Sequence, residues 1–422
     1  FKNLGQSINI YSQWNNKYST QLSISNYSYE NNYSSIQSSP QSNNISIVGT
    51  ADKFHSLSDH SIRFIQQYRN MKNHNLSLGF EETYFSTHFK NKNTENSSLN
   101  TSFITQDGYL YSFFISNSWS LKNRWKFDTG IRYSYFDILD KLYFEPRISI
   151  IQKIKHNLSL ELSYGEHNQF IHKLGKDNNS NFNTNSRFLS SSKFPTILSK
   201  NFQSGIHWKK NDYNLSTTFY LKSLSNFFKS EWSFSFEDYL SYNNETINSG
   251  YGKIKGLEIQ FRKKSGIITG WVSYHNSNTK YQLPDFNEGK LFFADYDKNH
   301  ELKIVMLGQI FNTNLSASWV FSSGRPFTSL ENLYVESGSG YEIFSKDKYN
   351  NERVKSSHHL DISLVKSLEI SEAEVELGLS IYNLYNKKNT AHKRYNPFSK
   401  ELSMKDISMF GITPSIFTKI SF

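Results

Sequence analysis

The chain has 422 residues, no cysteine and a formal net charge of +10, with a pI near 9.2. Only 36% of residues are hydrophobic and mean hydropathy is −0.62, yet aromatics reach 16%, with 34 Phe, 27 Tyr and 7 Trp. This excludes a disulfide scaffold, a thiolate metal site and a cysteine nucleophile, and the aromatic content argues against disorder. Lys and Arg are scattered among turns and strand faces without a basic cluster, so no nucleic-acid partner is expected. A basic surface near anionic lipid headgroups accounts for the charge instead.

No stretch reaches the roughly 18 to 20 consecutive apolar residues of a membrane helix. The chain opens at Phe1 with no signal segment and reads as a mature or truncated product.

Alternation with period two dominates from one end to the other. Trp125, Phe127, Thr129, Ile131, Tyr133 and Tyr135 alternate with Lys126, Asp128, Gly130, Arg132 and Ser134. Leu158, Leu160, Leu162 and Tyr164 alternate with Ser159, Glu161 and Ser163. Further on, Ala373, Val375, Leu377, Leu379 and Ile381 alternate with Glu374, Glu376, Gly378 and Ser380. The final segment sets Phe410, Ile412, Pro414, Ile416, Thr418, Ile420 and Phe422 on one face. Each strand therefore has one apolar and one polar side.

The strands exceed the five or six residues usual in globular sheets and reach the roughly 9 to 11 needed to cross a bilayer. Trp125, Trp208, Trp271 and Trp319 near their ends suit interfacial aromatic girdles. Short polar turns at 72–75, 122–124, 155–157, 209–212, 263–266, 312–314 and 369–372 alternate with long irregular loops at 171–199, 222–250, 276–296, 324–354 and 388–407. That asymmetry is the one shown by bacterial outer-membrane barrels. With 44–50 taken as loop, about 17 strands are expected. Single-chain bacterial barrels have even numbers, so strands are expected to be missing ahead of Phe1. The expected fold is all-β, a transmembrane antiparallel β-barrel occupying residues 1–422 as one domain.

Catalytic chemistry finds no footing. Gly250, Gly252 and Gly256 match neither a dinucleotide fingerprint nor a P-loop and read as small residues relieving crowding in a strand. His167 and His172, five apart, fall on opposite faces of a strand, and His358 and His359 diverge. His55 and His60 are expected in a loop. Glu81 and Glu82 point to opposite faces, whereas Glu374 and Glu376 share the lumenal one. No nucleophile-elbow motif occurs; no enzyme, cofactor or metal is expected. Recognition belongs on the loops, where Phe227, Phe228, Trp232 and Tyr239, and in a second loop Tyr334 and Tyr341, suit contact with a carbohydrate, siderophore or peptide. The competing expectation is that these loops pack on one another or on a partner.

Several patterns in order resemble the TonB-dependent receptor family in its Bacteroidetes form. These are Phe144-Glu145-Pro146-Arg147, His167-Asn168-Gln169-Phe170, the segment from Gly250 to Glu258, Gly270-Trp271-Val272-Ser273-Tyr274, Tyr296-Asp297-Lys298-Asn299-His300, Ser323-Gly324-Arg325-Pro326-Phe327 and Ser380-Ile381-Tyr382-Asn383-Leu384-Tyr385-Asn386, with a terminal Phe422. They span 140–422; residues 1–140 are similar to the family mainly in rhythm. The resemblance implies a Gram-negative outer-membrane location, a 22-stranded type of barrel, and uptake of a bulky nutrient gated by a plug and powered through TonB. The plug and TonB box are absent from this sequence. Implied partners are outer-membrane lipid and lipopolysaccharide, the TonB system through that plug, and a surface lipoprotein or other envelope subunit. Asp297 and His300 are read as structural. The rival expectation is a non-transporting subunit of a larger envelope complex.

Overall fold

The computed structural model describes residues 2–41, 44–70, 73–95, 98–174, 186–228, 249–284, 286–329, 333–335, 342–344, 349–370, 373–396 and 403–421. Among them, one antiparallel sheet contains seventeen long strands and the two-residue segment Phe292–Phe293. The first ten long strands are β1 (Lys2–Gln13), β2 (Tyr18–Gln41), β3 (Asn44–Asn70), β4 (His74–Glu95), β5 (Ser98–Leu121), β6 (Trp125–Phe136), β7 (Lys141–Lys155), β8 (Leu158–Gln169), β9 (Ile197–Lys210) and β10 (Tyr213–Phe227). Seven follow: β11 (Gly250–Lys263), β12 (Ile268–Gln282), β13 (His300–Ile310), β14 (Thr313–Ser322), β15 (Ser357–Ile370), β16 (Ala373–Tyr382) and β17 (Thr413–Ser421). No helix among the described residues is long and apolar enough to cross a membrane.

The chain divides into two compact units, residues 1–150, 164–200 and 224–249 in the first, and 151–163, 201–223 and 250–422 in the second. In the first, β1 to β6 form a meander in which each strand pairs with the next. Its registers place Ile10, Leu22, Phe64, Phe80, Phe113 and Tyr133 in one row across six strands. Phe64, Phe80, Phe113 and Tyr133 are each more than 40% exposed, which puts the apolar row on the outer side. One residue along, Arg63 pairs with Glu81 and Glu81 with Ser112, so the opposite side is polar. Glu81 and Glu82 do face opposite ways.

The second unit repeats the scheme over β11 to β17. Val272, Ile304, Trp319 and Leu360 form an outer row, whereas Glu258, His275 and Glu301 align on the polar side. Trp271 breaks the expected girdle: the register sets it on the side of Ser273 and His275. Period two fixes its face, and an aromatic at a strand end carries no sign of which face that is.

Three expectations about loops are corrected. Residues 44–50 belong to β3, paired with β2 as far as Asn44; the segment is held by backbone pairing with the polar, Ser-rich end of β2, which does not itself read as a strand. The loops expected at 222 and 276 begin later, because β10 continues to Phe227 and β12 to Gln282. Nor are the loops at 171–199, 324–354 and 388–407 wholly irregular. They carry hairpins of their own, Ile171–Leu174 with Ser186–Leu189, Leu333–Val335 with Glu342–Phe344, and Thr390–Asn396 with Ser403–Ser408. Short ladders satisfy backbone groups that a structureless loop would leave to water.

The turns follow local stereochemistry. Asn73, Asn123, Asn211 and Asn312 all take positive φ between 49° and 72°, and Asn tolerates the left-handed region better than most residues.

Candidate functional site

β2 to β5 run 22 to 27 residues, far beyond the roughly 9 to 11 that cross a bilayer. On the polar side of their extensions lies the hairpin Ile171–Leu174/Ser186–Leu189. Its register pairs His172 with Phe188, and Phe188 packs with buried Phe89, Phe194 and Phe228. A second cluster joins Phe85, Leu110, Phe136, Tyr143, Phe170 and Leu189. Polar contacts fix the docking: Leu189 N–H donates to Gln106 Oε1 at 3.0 Å, and Tyr143 OH lies 2.9 Å from Thr196 Oγ1. Arg187 lies 4.8 Å over the Tyr29 ring, with its backbone N and O each 3.0 Å from His55 Nε2.

His55 and His60 therefore do not share a loop. Both sit on β3, five residues apart and on opposite sides; His60 stacks on Tyr84. His167 and His172 also part: His167 Nδ1 is 3.2 Å from Arg147, and His172 Nε2 is 2.8 Å from Ser190 Oγ. His172 is 2% exposed, and burial lowers its pKa to about 4, keeping the ring neutral.

Below the hairpin, the polar side of the first unit carries an ion network. Glu81 accepts from Arg63 at 3.1 Å and Arg132 at 3.0 Å, and Arg132 also donates to Ser112 Oγ at 2.8 Å. Phe114 lies 5.9 Å beneath both guanidinium groups. Its ring occupies the space that a side chain at residue 79 would need, since a Cβ on Gly79 would come within 2.1 Å of it. The network was missed in sequence because its members are separated along the chain. Charged residues at alternate positions on successive strands were the available signal.

The polar side of the second unit holds a cavity of about 310 Å³, lined by Ser216, Thr218, Glu258, Gln260, Ser273, His275, Glu301 and Lys303 among others. His275 sits between two carboxylates, Nε2 at 3.7 Å from Glu258 and Nδ1 at 3.9 Å from Glu301, and Tyr220 OH is 2.7 Å from Nε2. Gly256 makes room for Tyr220: a Cβ there would lie 2.3 Å from its hydroxyl. Gly256 is thus a packing residue, and a Cβ on Gly250 would meet the Gln282 carbonyl at 1.9 Å. Hydroxyls, an amide and ionisable groups facing a cavity suit a polar ligand or polar protein surface. Among the described residues no group of three His, Cys, Asp or Glu is arranged to hold a metal.

Above the cavity, Asp297 is 1% exposed. It accepts from Thr279 N–H at 2.6 Å and pairs with Arg353, which also donates to Gly324 O at 2.9 Å. His300 Nδ1 meets Tyr274 OH at 2.8 Å. Both residues are engaged in structural contacts.

Of the aromatic loop candidates, Phe228 is 6% exposed, packed 5.6 Å from Phe194 and 4.8 Å from His172. Phe227 is half-buried at the end of β10. Tyr334 pairs with Ile343 in a short ladder. Trp232, Tyr239 and Tyr341 lie outside the described residues.

The sequence of residues 1–384 matches the family described as TonB dependent receptor-like, beta-barrel. The chain belongs to that family. It is a Gram-negative outer-membrane protein, and the sheet is the wall of a transmembrane β-barrel. Solved structures agree in fold. The ferric yersiniabactin uptake receptor FyuA from Yersinia pestis superposes with a TM-score of 0.70 at 10% identity, covering 100% of this chain and 61% of that one. The copper transporter OprC gives 0.68 at 10% identity, with 100% and 64% covered. The unliganded ferric citrate transporter FecA gives 0.64 at 12%, with 99% and 61% covered. The chain thus spans less than two thirds of the length of these relatives. No curated protein matches the sequence.

Proposed function

We propose that this chain forms the barrel wall of a TonB-dependent receptor that imports a bulky nutrient, of siderophore, glycan or peptide class. The reading rests on the inward docking of residues 171–174 and 186–196 above a polar wall in the first unit. Such an arrangement presents loops to the outside and polar groups to whatever passes within. Binding outside would drive uptake only through a higher affinity for the plug state that engages TonB. The relatives named above carry ferric chelates or copper, which makes a metal chelate the first substrate class to try.

The test is uptake by the native host with the encoding gene deleted, supplied in turn with ferric chelates, oligosaccharides and peptides as sole source. Transport predicts loss of growth on one class, restored by the gene, and the same loss when the proton gradient is collapsed. Undiminished growth on every class, with stable co-purifying envelope proteins, would instead support a non-transporting subunit.

A further inference from the structure

The short turns at 155–157, 209–212 and 263–266 all belong to the second unit, and they face the periplasm, as short barrel turns do. Backbone hydrogen bonds join them in a row: Lys209 N–H donates to Asn157 O and Lys264 N–H to Asp212 O, both at 2.9 Å. Cations scattered along the sequence gather on this row. Lys153 and Lys155 lead into the first turn, Lys209 and Lys210 into the second, and Arg262, Lys263 and Lys264 into the third. Across 151–157, 208–215 and 260–267 those seven cations meet one carboxylate, Asp212. Among the described residues none of the seven forms an ion pair. The turn at 122–124 in the first unit differs, since Lys126 beside it is paired with Asp128 at 2.7 Å.

Much of this charge is turned away from lipid. Arg262 pairs with Trp271, on the side of His275. Lys209 follows two residues after His207, which meets Glu161 on the polar side at 3.0 Å. Lys153 and Lys155 flank the outward Ile154, which is 39% exposed. Alternation therefore sets these four on the polar side, and inner-leaflet headgroups would reach only the other three.

We infer that the three turns form a docking ridge for the peptidoglycan layer, holding the free carboxylates of its peptide stems. Turns recur every second strand, so at about 4.8 Å between strands the cationic groups repeat at roughly 10 Å. The backbone bonds between turns hold that pitch fixed. One exposed ammonium–carboxylate pair contributes little. A polymer bearing many carboxylates engages several turns at once, and each contact after the first is intramolecular. A small anion would gain nothing from a row of that length. The inference rests on the membrane placement of the barrel and not on what it transports.

The experiment uses the full chain in nanodiscs of zwitterionic lipid, co-sedimented with purified sacculi that are either native or amidated at their carboxyl groups. The expected result is retention by native sacculi at low salt, lost at high salt and lost on amidated sacculi. K155Q/K209Q/K264Q should lower retention on the order of tenfold with melting unchanged. K253Q/K255Q/K280Q removes as many charges from the other end of β11 and β12, where Lys253 opposes Lys280, and should change nothing. Equal retention of wild type by amidated sacculi would overturn the ridge, as would undiminished retention of the first triple variant. So would anionic vesicles that retain wild type as well as sacculi do, which would make the ridge a lipid contact.

Discussion

The two units hold their extracellular parts by different means. The first extends four strands and docks a hairpin on them through fully buried side chains, Phe136, Phe194 and Leu189. The second keeps its long strands at 9 to 15 residues and ties its loops with buried polar groups. Asp297, Asn383 and Asn389 are each no more than 1% exposed. Asn383 donates to Lys387 O and Phe410 O and accepts from Lys387 N–H. Apolar docking is non-directional and tolerates sliding or release. A hydrogen-bonded collar is directional, and removing one partner leaves the other unsatisfied. The first unit is therefore the better suited to loop movement, and the second to a fixed rim.

That contrast can be broken in order of expected effect. Phe194→Ala should cost about 4 kcal/mol of hairpin docking, read as protease sensitivity near 171–196 with barrel melting unchanged. Intact docking would mean that the cluster is redundant. Asp297→Ala should cost about 3 kcal/mol by stranding Arg353. Hydrogen exchange should rise at 323–329 and 349–354, and exchange confined to residue 297 itself would contradict the collar.

Acid should distinguish the units further. His172 has a folded pKa of about 4, below the ordinary 6.5. The unfolded hairpin gains a proton as pH falls below 6.5 while the docked one does not, so docking stability is full above 6.5 and declines toward pH 4. The loss should reach about 2 to 3 kcal/mol, visible as faster exchange around 170–190 and abolished in His172→Gln. Smallest is Gly79→Ala, where a Cβ would meet the Phe114 ring at 2.1 Å. About 1 to 2 kcal/mol of overpacking is expected, measured as a shifted urea midpoint for refolding into vesicles.

Most of the architecture was legible because a barrel strand states its orientation in every second residue. Leu377 and Leu379 face out and Glu374 and Glu376 share the other side, as alternation required. The count of about seventeen strands also emerges from that alternation punctuated by short polar turns, four of which carry a left-handed Asn. What stayed hidden was pairing across strands. Nothing near Lys253 announces Lys280, and Arg63, Glu81 and Arg132 lie on three strands. The extension of β3 through His55 was hidden for another reason. Its upper half alternates only weakly, since a side facing a docked hairpin and a side facing water both accept polar residues.

The length of β3 has a consequence for access. At about 3.4 Å per residue, its 27 residues measure roughly 90 Å along the strand, and a tilt near 45° leaves about 65 Å of height. Some 30 Å of that is hydrocarbon. The rest stands clear of the acyl layer like a parapet. A large particle approaching the cell would touch this ledge before reaching the hairpin docked on its polar side.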